Sequence, residues 1–202
     1  MSVACPITLD REKLKSEVRA IYAKVADDPG GEFHFHRGPE YAARLLGYDP
    51  VELRALPPAA TASFAGVGNP FMMDALQPAA TVVDIGSGAG MDCLLAAGRV
   101  GCKGAVVGID MTDAMLARAR SAAARFGQVR FEKADMTKLP LDSNSVDVVI
   151  SNGVINLAPD KAPVFGELYR IVKPGGRLQF ADIIVGTELS DAARNNIDLW
   201  TG

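Results

Sequence analysis

At 202 residues, 49% of them apolar and 22% charged, the chain has the make-up of a one-domain globular protein long enough to bury a core. A net charge of −3 argues against nucleic-acid binding through a basic surface, and no apolar run reaches membrane-spanning length. Three scattered cysteines (Cys5, Cys93, Cys102) imply neither a disulfide framework nor a zinc site, and Asp10, Arg11, Glu12 and Lys13 interrupt any signal-peptide core, so a reducing cytoplasm is the expected location.

Thr8 or Asp10 can cap a first helix running to about Val25, with Leu14, Val18, Ile21 and Val25 on one face and Arg11, Lys15, Arg19 and Lys24 mostly off it. Asp27-Asp28-Pro29-Gly30-Gly31 ends it with turn chemistry. In Phe33-His34-Phe35-His36-Arg37-Gly38, an extended backbone puts both phenylalanines on one side and both histidines on the other. Paired histidines can hold a metal or act as a base, but no third ligand lies nearby; solvent-facing or hydrogen-bonded histidines are the better reading, and no metal site is expected. A short helix over 39–46 ends at Gly47, Pro57-Pro58 reads as loop, and 63–70 reads as a flexible glycine-containing segment with a short helix after it. Residues 1–78 thus form a helical or irregular N-terminal extension and cap, and 79–202 the main domain.

From Thr81 strand and helix patterns alternate. Strands are predicted over 81–85, 105–110, 128–133, 146–151 and 177–184. Helices are predicted over 93–100, from Thr112-Asp113 through Phe126 with Gly127 at C′, and from the cap Asp160 through Val164, Phe165, Leu168 and Ile171. Lys173-Pro174-Gly175-Gly176 breaks that last helix, and Ser190 can cap another running into Leu199-Trp200. The alternation implies an α/β, doubly wound, mostly parallel sheet, whose ligands bind at the carboxyl ends of the strands. The first strand runs into Asp84-Ile85-Gly86-Ser87-Gly88-Ala89-Gly90-Met91-Asp92, a tight turn followed by a helix start whose N–H groups face outward. Its spacing is not the dinucleotide fingerprint Gly-x-Gly-x-x-Gly. An acid before the turn and no phosphate-binding lysine suit a ligand with hydroxyls and an ammonium. The turn alone could bind nothing, but Asp110, Asp135 and Ser151-Asn152 converge on the same strand ends.

The series Asp84-x-Gly86-x-Gly88-x-Gly90, Asp110, Ala134-Asp135-Met136, Leu139-Pro140-Leu141 and Lys173-Pro174-Gly175-Gly176 resembles the signature motifs of class I S-adenosylmethionine-dependent methyltransferases over roughly residues 70–185. Within them, Gly86 through Cys93, Gly68-Asn69-Pro70 and Ser151-Asn152-Gly153-Val154-Ile155-Asn156-Leu157-Ala158-Pro159-Asp160-Lys161 resemble the arsenite methyltransferase branch. The resemblance implies a Rossmann-like fold, S-adenosyl-L-methionine as cofactor and a small-molecule acceptor. It places Gly86, Ser87, Gly88 and Gly90 against the methionine part, with Asp84 fixing the turn beneath. Asp110 takes the ribose hydroxyls, Met111 packs on the adenine, Asp135 accepts from the adenine amine with Met136 beside it, and Ser151 and Asn152 line the methyl-transfer side. Catalysis is then mostly placement of an acceptor in line with an already activated methyl.

Arsenite methyltransferases hold trivalent arsenic with cysteine thiolates. Here the matching positions are Gly153 and Val67, and the N-terminal cysteine pair has no counterpart; Cys93 reads as a packing residue. A related member acting on another small acceptor, a metalloid or chalcogen species among them, is the expectation. The resemblance also implies seven strands where five are read, so the chain is expected to be truncated at 202, near where the family carries a cysteine, and a selenocysteine codon read as a stop would account for it. The alternative function is a cofactor-binding but inactive or partner-dependent fragment, and a homodimer through the exposed fifth-strand edge is the expected assembly. No catalytic base is fixed by spacing: His34, His36, Asn156 and Asp182 are candidates, each with a plain loop or strand-end alternative.

Overall fold

The computed structural model describes residues 10–187 together with Ser190, Asn196 and Trp200. The β-branched runs form the centre of a sheet: β1 (Thr81–Ile85), β2 (Ala105–Asp110), β3 (Val129–Lys133), β4 (Val146–Asn152) and β5 (Val172–Ala181). All pair in parallel, in the order β3-β2-β1-β4-β5. The central strands are buried on both faces, as a parallel sheet covered by helices requires. Parity splits the core: Val82, Val106 and Val148 pack with Leu94, Val100 and Leu116 on one side, while Val83, Val107 and Val149 pack with Leu168 and Ile171 on the other. The strand order reverses between β1 and β4, which opens a crevice at their carboxyl ends.

Seven helices cover this sheet and its end among the described residues: α1 (Arg11–Asp27), α2 (Gly38–Leu45), α3 (Pro50–Ala55), α4 (Pro58–Thr61), α5 (Met91–Val100), α6 (Asp113–Ala122) and α7 (Lys161–Ile171). Asp10 caps α1, accepting from the amides of Glu12 and Lys13, and Asp160 caps α7. The N-terminal helices share their cores with the sheet layer. Ala42, Tyr48 and Leu53 pack on Met91 and Leu95, and Val25 and Ala26 pack on Ala89 and Met115.

Several boundaries differ from the sequence expectation for local reasons. Residues 57–61 are not all loop, because Pro58 opens a turn of helix where its missing N–H costs nothing. An unexpected α3 begins at Pro50 because Asp49 accepts from the Val51 amide at 2.7 Å. The sixth helix stops at Ala122: the Ala123 amide is shared between the Ala119 and Ser121 carbonyls, and Phe126 folds back in a turn, so Gly127 is not its C′ residue. In β5, Val172 pairs with Val146 and Arg177 with Val148, so the Lys173–Gly176 stretch bulges out of the ladder. The strand ends at Ala181, leaving Ile183 and Ile184 exposed outside it. The helix expected after Ser190 lies outside the described residues. As expected, β5 is an outer strand.

Candidate active site

A cavity lies at the crevice over β1, β2 and β4. The turn after β1 forms its floor. Gly86 adopts φ +73°, and a Cβ there would sit 2.3 Å from Val154, so only glycine fits. Gly88, at φ +52°, has nothing within 4 Å of its would-be Cβ and faces the open cavity. The turn amides are spent inside the protein: Gly86 and Ser87 donate to the Ile109 carbonyl, Gly88 to Asp110 Oδ2 and Gly90 to the Ser87 carbonyl. These turn amides are therefore not free to cradle an anion; the free N–H groups expected at the helix start belong to α5, which begins at Met91.

At one end of the cavity lie Asp110, Met111, Ala134, Asp135 and Met136. Asp110 accepts from the amides of Gly88 (2.9 Å) and Thr112 (2.8 Å); burial raises its pKa and those hydrogen bonds offset part of the rise. Asp135 accepts from Lys15 Nζ at 2.7 Å and from Thr137. Burial works to raise its pKa, but the hydrogen bonds from Lys15 and Thr137 outweigh it and hold the carboxyl below its ordinary value. Lys15, Val18 and Tyr22 of α1 roof this end. Burial, with the nearby charge of Asp110, pushes the Tyr22 hydroxyl up to about 12.

The other end is lined by Ser63, Phe64, Ala65, Gly66, Asp92 and Asn152. Asn152, at the end of β4, holds this wall in place. Its Oδ1 accepts from the amides of Val67 (2.8 Å) and Gly68 (3.1 Å), and its Nδ2 donates to the Gly68 carbonyl, the Tyr48 hydroxyl and Asp92. The Tyr48 hydroxyl donates in turn to Asp92 at 2.8 Å. Burial pushes the Asp92 carboxyl up to about 6, against the lowering effect of Asn152, Tyr48 and the charge of Arg99. Asp84 is raised well above its ordinary value by burial and by its neighbour Asp92, although the Cys93 thiol donates to it at 3.3 Å. Burial and Asp84 push the Cys93 thiol up as well, which makes it an inert packing group.

Of the residues singled out in the sequence, Asp84, Gly86, Ser87, Gly88, Asp110, Met111, Asp135, Met136 and Asn152 line one cavity. Ser151 and Gly90 do not. Ser151 is 1% exposed and donates to the Ile85 carbonyl at 3.0 Å, tying β4 to β1. Gly90 is the N-cap of α5, packed against Phe131. The four candidate bases also lie outside it. His34 and His36 are exposed, with His36 stacked on Tyr41 at 5.2 Å. Asp182 accepts from the Asn156 amide at 2.9 Å, and burial raises its pKa. Sequence reasoning missed Lys15, Tyr48, Ser63 and the role of Asp92. Only Asp92 carried a signal, two residues past the glycine turn.

The methyltransferase-domain family matches residues 76–201. The chain belongs to the class I S-adenosylmethionine-dependent methyltransferases. Its sequence is 42% identical over 159 residues to the arsenite methyltransferase of Halobacterium salinarum, covering 78% of this chain and 40% of that protein. It is 38% identical over 130 residues to the arsenite methyltransferase of Homo sapiens, covering 59% and 35%. The fold matches the crystal structure of CrArsM, an arsenic(III) S-adenosylmethionine methyltransferase from Chlamydomonas reinhardtii, with a TM-score of 0.66 at 37% identity, over 71% of this chain and 51% of that one. The chain spans about two fifths of the length of these curated relatives.

The residues present fit the family's cofactor. The Ser87 hydroxyl is buried, lines the cavity and has no hydrogen-bond partner among the described residues. Two buried acids, Asp84 and Asp92, and the half-buried Asp110 line the cavity, and among the described lining residues the one Lys or Arg is Lys15, which Asp135 already engages. Such a site is short of positive charge and of a donor to reach its acceptors.

Proposed function

We propose that this chain binds S-adenosyl-L-methionine in the cavity and catalyses methyl transfer to a small-molecule acceptor. The observation that carries the reading is the cluster of acids lining a cavity whose one lining cation among the described residues, Lys15, is already paired with Asp135. The cofactor, when bound, supplies an activated methyl on a cationic sulfonium together with an ammonium. Asp110 would hold hydroxyls beside Met111, Asp135 would accept from an amine beside Met136, and the Gly86 and Gly88 backbone permits close approach along the floor. The acceptor would enter beside Ser63, Phe64 and Gly66, where Asn152 fixes the wall. The task of the protein is alignment and exclusion of water rather than supply of a strong nucleophile.

The names of the relatives support a metalloid acceptor, but the residues argue against holding it by thiols at the two matched positions. Val67 and Gly153 are neighbours, with a Cβ on Gly153 falling 3.0 Å from a Val67 methyl, and neither carries sulfur. The second reading, a cofactor-binding chain that needs a partner for turnover, is favoured by the outer position of β5. Calorimetric titration with S-adenosylhomocysteine tests the cofactor reading. Micromolar binding that disappears in Asp110→Ala supports it, and a folded chain that does not bind overturns it. Mass spectrometry for methylated products with arsenite, selenite and small thiols then separates turnover from binding alone.

A further inference from the structure

We propose that Lys15 is a positioning residue: its ion pair with Asp135 latches α1 over the cofactor cavity, and the N-terminal half of α1 must lift to let the cofactor in and out. The inference rests on the cofactor reading above.

The two ends of α1 are held differently. At its C-terminal end Val25 and Ala26 are buried against Ala89 and Met115, Arg118 donates to the Ala26 carbonyl, and Tyr22 stacks on Phe35 with ring centroids 6.0 Å apart. This end is a fixed base. The N-terminal half rests on a smaller cluster, Leu14 and Val18 against Met111, Leu157 and Trp200. Among the described residues, the ionic tie of this half to the sheet layer is Lys15 Nζ to Asp135 Oδ2 at 2.7 Å, between side chains 30% and 36% exposed. Lys15, Val18 and Tyr22 recur on one helix face and form the roof directly above Asp110, Met111 and Asp135. A ligand of nucleoside size seated at that end lies beneath the roof, so the pair that fastens the roof also borders the seat. Asp135 thereby serves the lid and the ligand with one carboxylate: Oδ1 is fixed by Thr137, and Oδ2 is the oxygen Lys15 takes.

The rates of ligand exchange test the latch. Trp200 is the only tryptophan in the chain and packs beside Leu14 and Val18, so its fluorescence reports on this half of α1. Stopped-flow mixing with S-adenosylhomocysteine gives association and dissociation rate constants for the wild type, Lys15→Met and Lys15→Arg. A latch that only gates predicts that Lys15→Met raises both constants by about two- to fivefold, the factor a partly exposed ion pair contributes, with little change in Kd. Lys15→Arg keeps the pair and stays near the wild type. Raising the salt concentration moves the wild type toward Lys15→Met and leaves that variant unmoved. A merely structural role would lower stability without speeding association. An unchanged association rate in Lys15→Met overturns the proposal, whether dissociation is faster (a direct ligand contact) or unchanged (no role). Absence of binding to the wild type overturns the cofactor reading, and the latch with it.

Discussion

Asp92→Asn is expected to make the empty protein more stable and the cofactor site worse. Asp92 is 5% exposed, and burial lifts its pKa from 3.8 to about 6. A carboxyl raised in the folded state costs stability once the pH exceeds the folded value, because folding must then hold a charge that the unfolded chain hydrates freely. A rise of this size costs of order 3 kcal/mol at pH 8. The amide removes that cost but gives up one hydrogen bond, since the Tyr48 hydroxyl and Asn152 Nδ2 both donate to the carboxylate and an amide has one oxygen. That loss is worth about 1–2 kcal/mol. The variant should therefore gain about 1–2 kcal/mol in urea denaturation at pH 8. The gain should shrink as the pH falls below about 6 and be gone by about pH 5, where the falling cost of the charge only matches the lost hydrogen bond; below that the variant should be the less stable of the two. S-adenosylmethionine affinity should move the other way. In the wild type it should weaken about tenfold between pH 7 and pH 5 as Asp92 takes up a proton, and in Asp92→Asn it should be weak and flat across that range. A variant no more stable at pH 8, with wild-type affinity, would refute the idea that Asp92 is a charge waiting for a cation.

The other substitutions probe the site from different sides. Asp110→Ala leaves the Gly88 and Thr112 amides without their acceptor and removes the group proposed to hold hydroxyls, so S-adenosylhomocysteine affinity should fall at least about tenfold by calorimetry. His34→Ala and His36→Ala remove exposed side chains outside the cavity and should leave that affinity unchanged; a loss would bring the histidines back as site residues. Val67→Cys with Gly153→Cys places two thiols on neighbouring positions and should create arsenite affinity measurable by calorimetry. Because Gly153 has φ +72°, that double variant should also lose about 1–2 kcal/mol of stability. Ser151→Ala should cost about 1 kcal/mol through the lost hydrogen bond to the Ile85 carbonyl, with cofactor affinity retained.

The sequence by itself determined the features that depend on near neighbours. Runs such as Thr81-Val82-Val83 and Val146 through Ile150 prefer extended backbone whatever surrounds them, and glycines that must take positive φ announce the turn at 86–90. Parallel strands in an alternating pattern then bring Asp84, Asp110, Asp135 and Asn152 to one edge, because every such strand ends on the same side. What a side chain does there depends on parity and on distant partners. Ser151 and Asn152 are adjacent in the chain, yet the alternation of β4 turns Ser151 inward to Ile85 while Asn152 reaches the cavity wall. Lys15 meets Asp135 across 120 residues, and Tyr48 meets Asp92 across 44. No local spacing encodes such contacts. They exist because the N-terminal helices bury their apolar faces on α5, α6 and the turn after β1, and that packing alone carries Tyr48 to the buried Asp92 and lays Lys15 across Asp135.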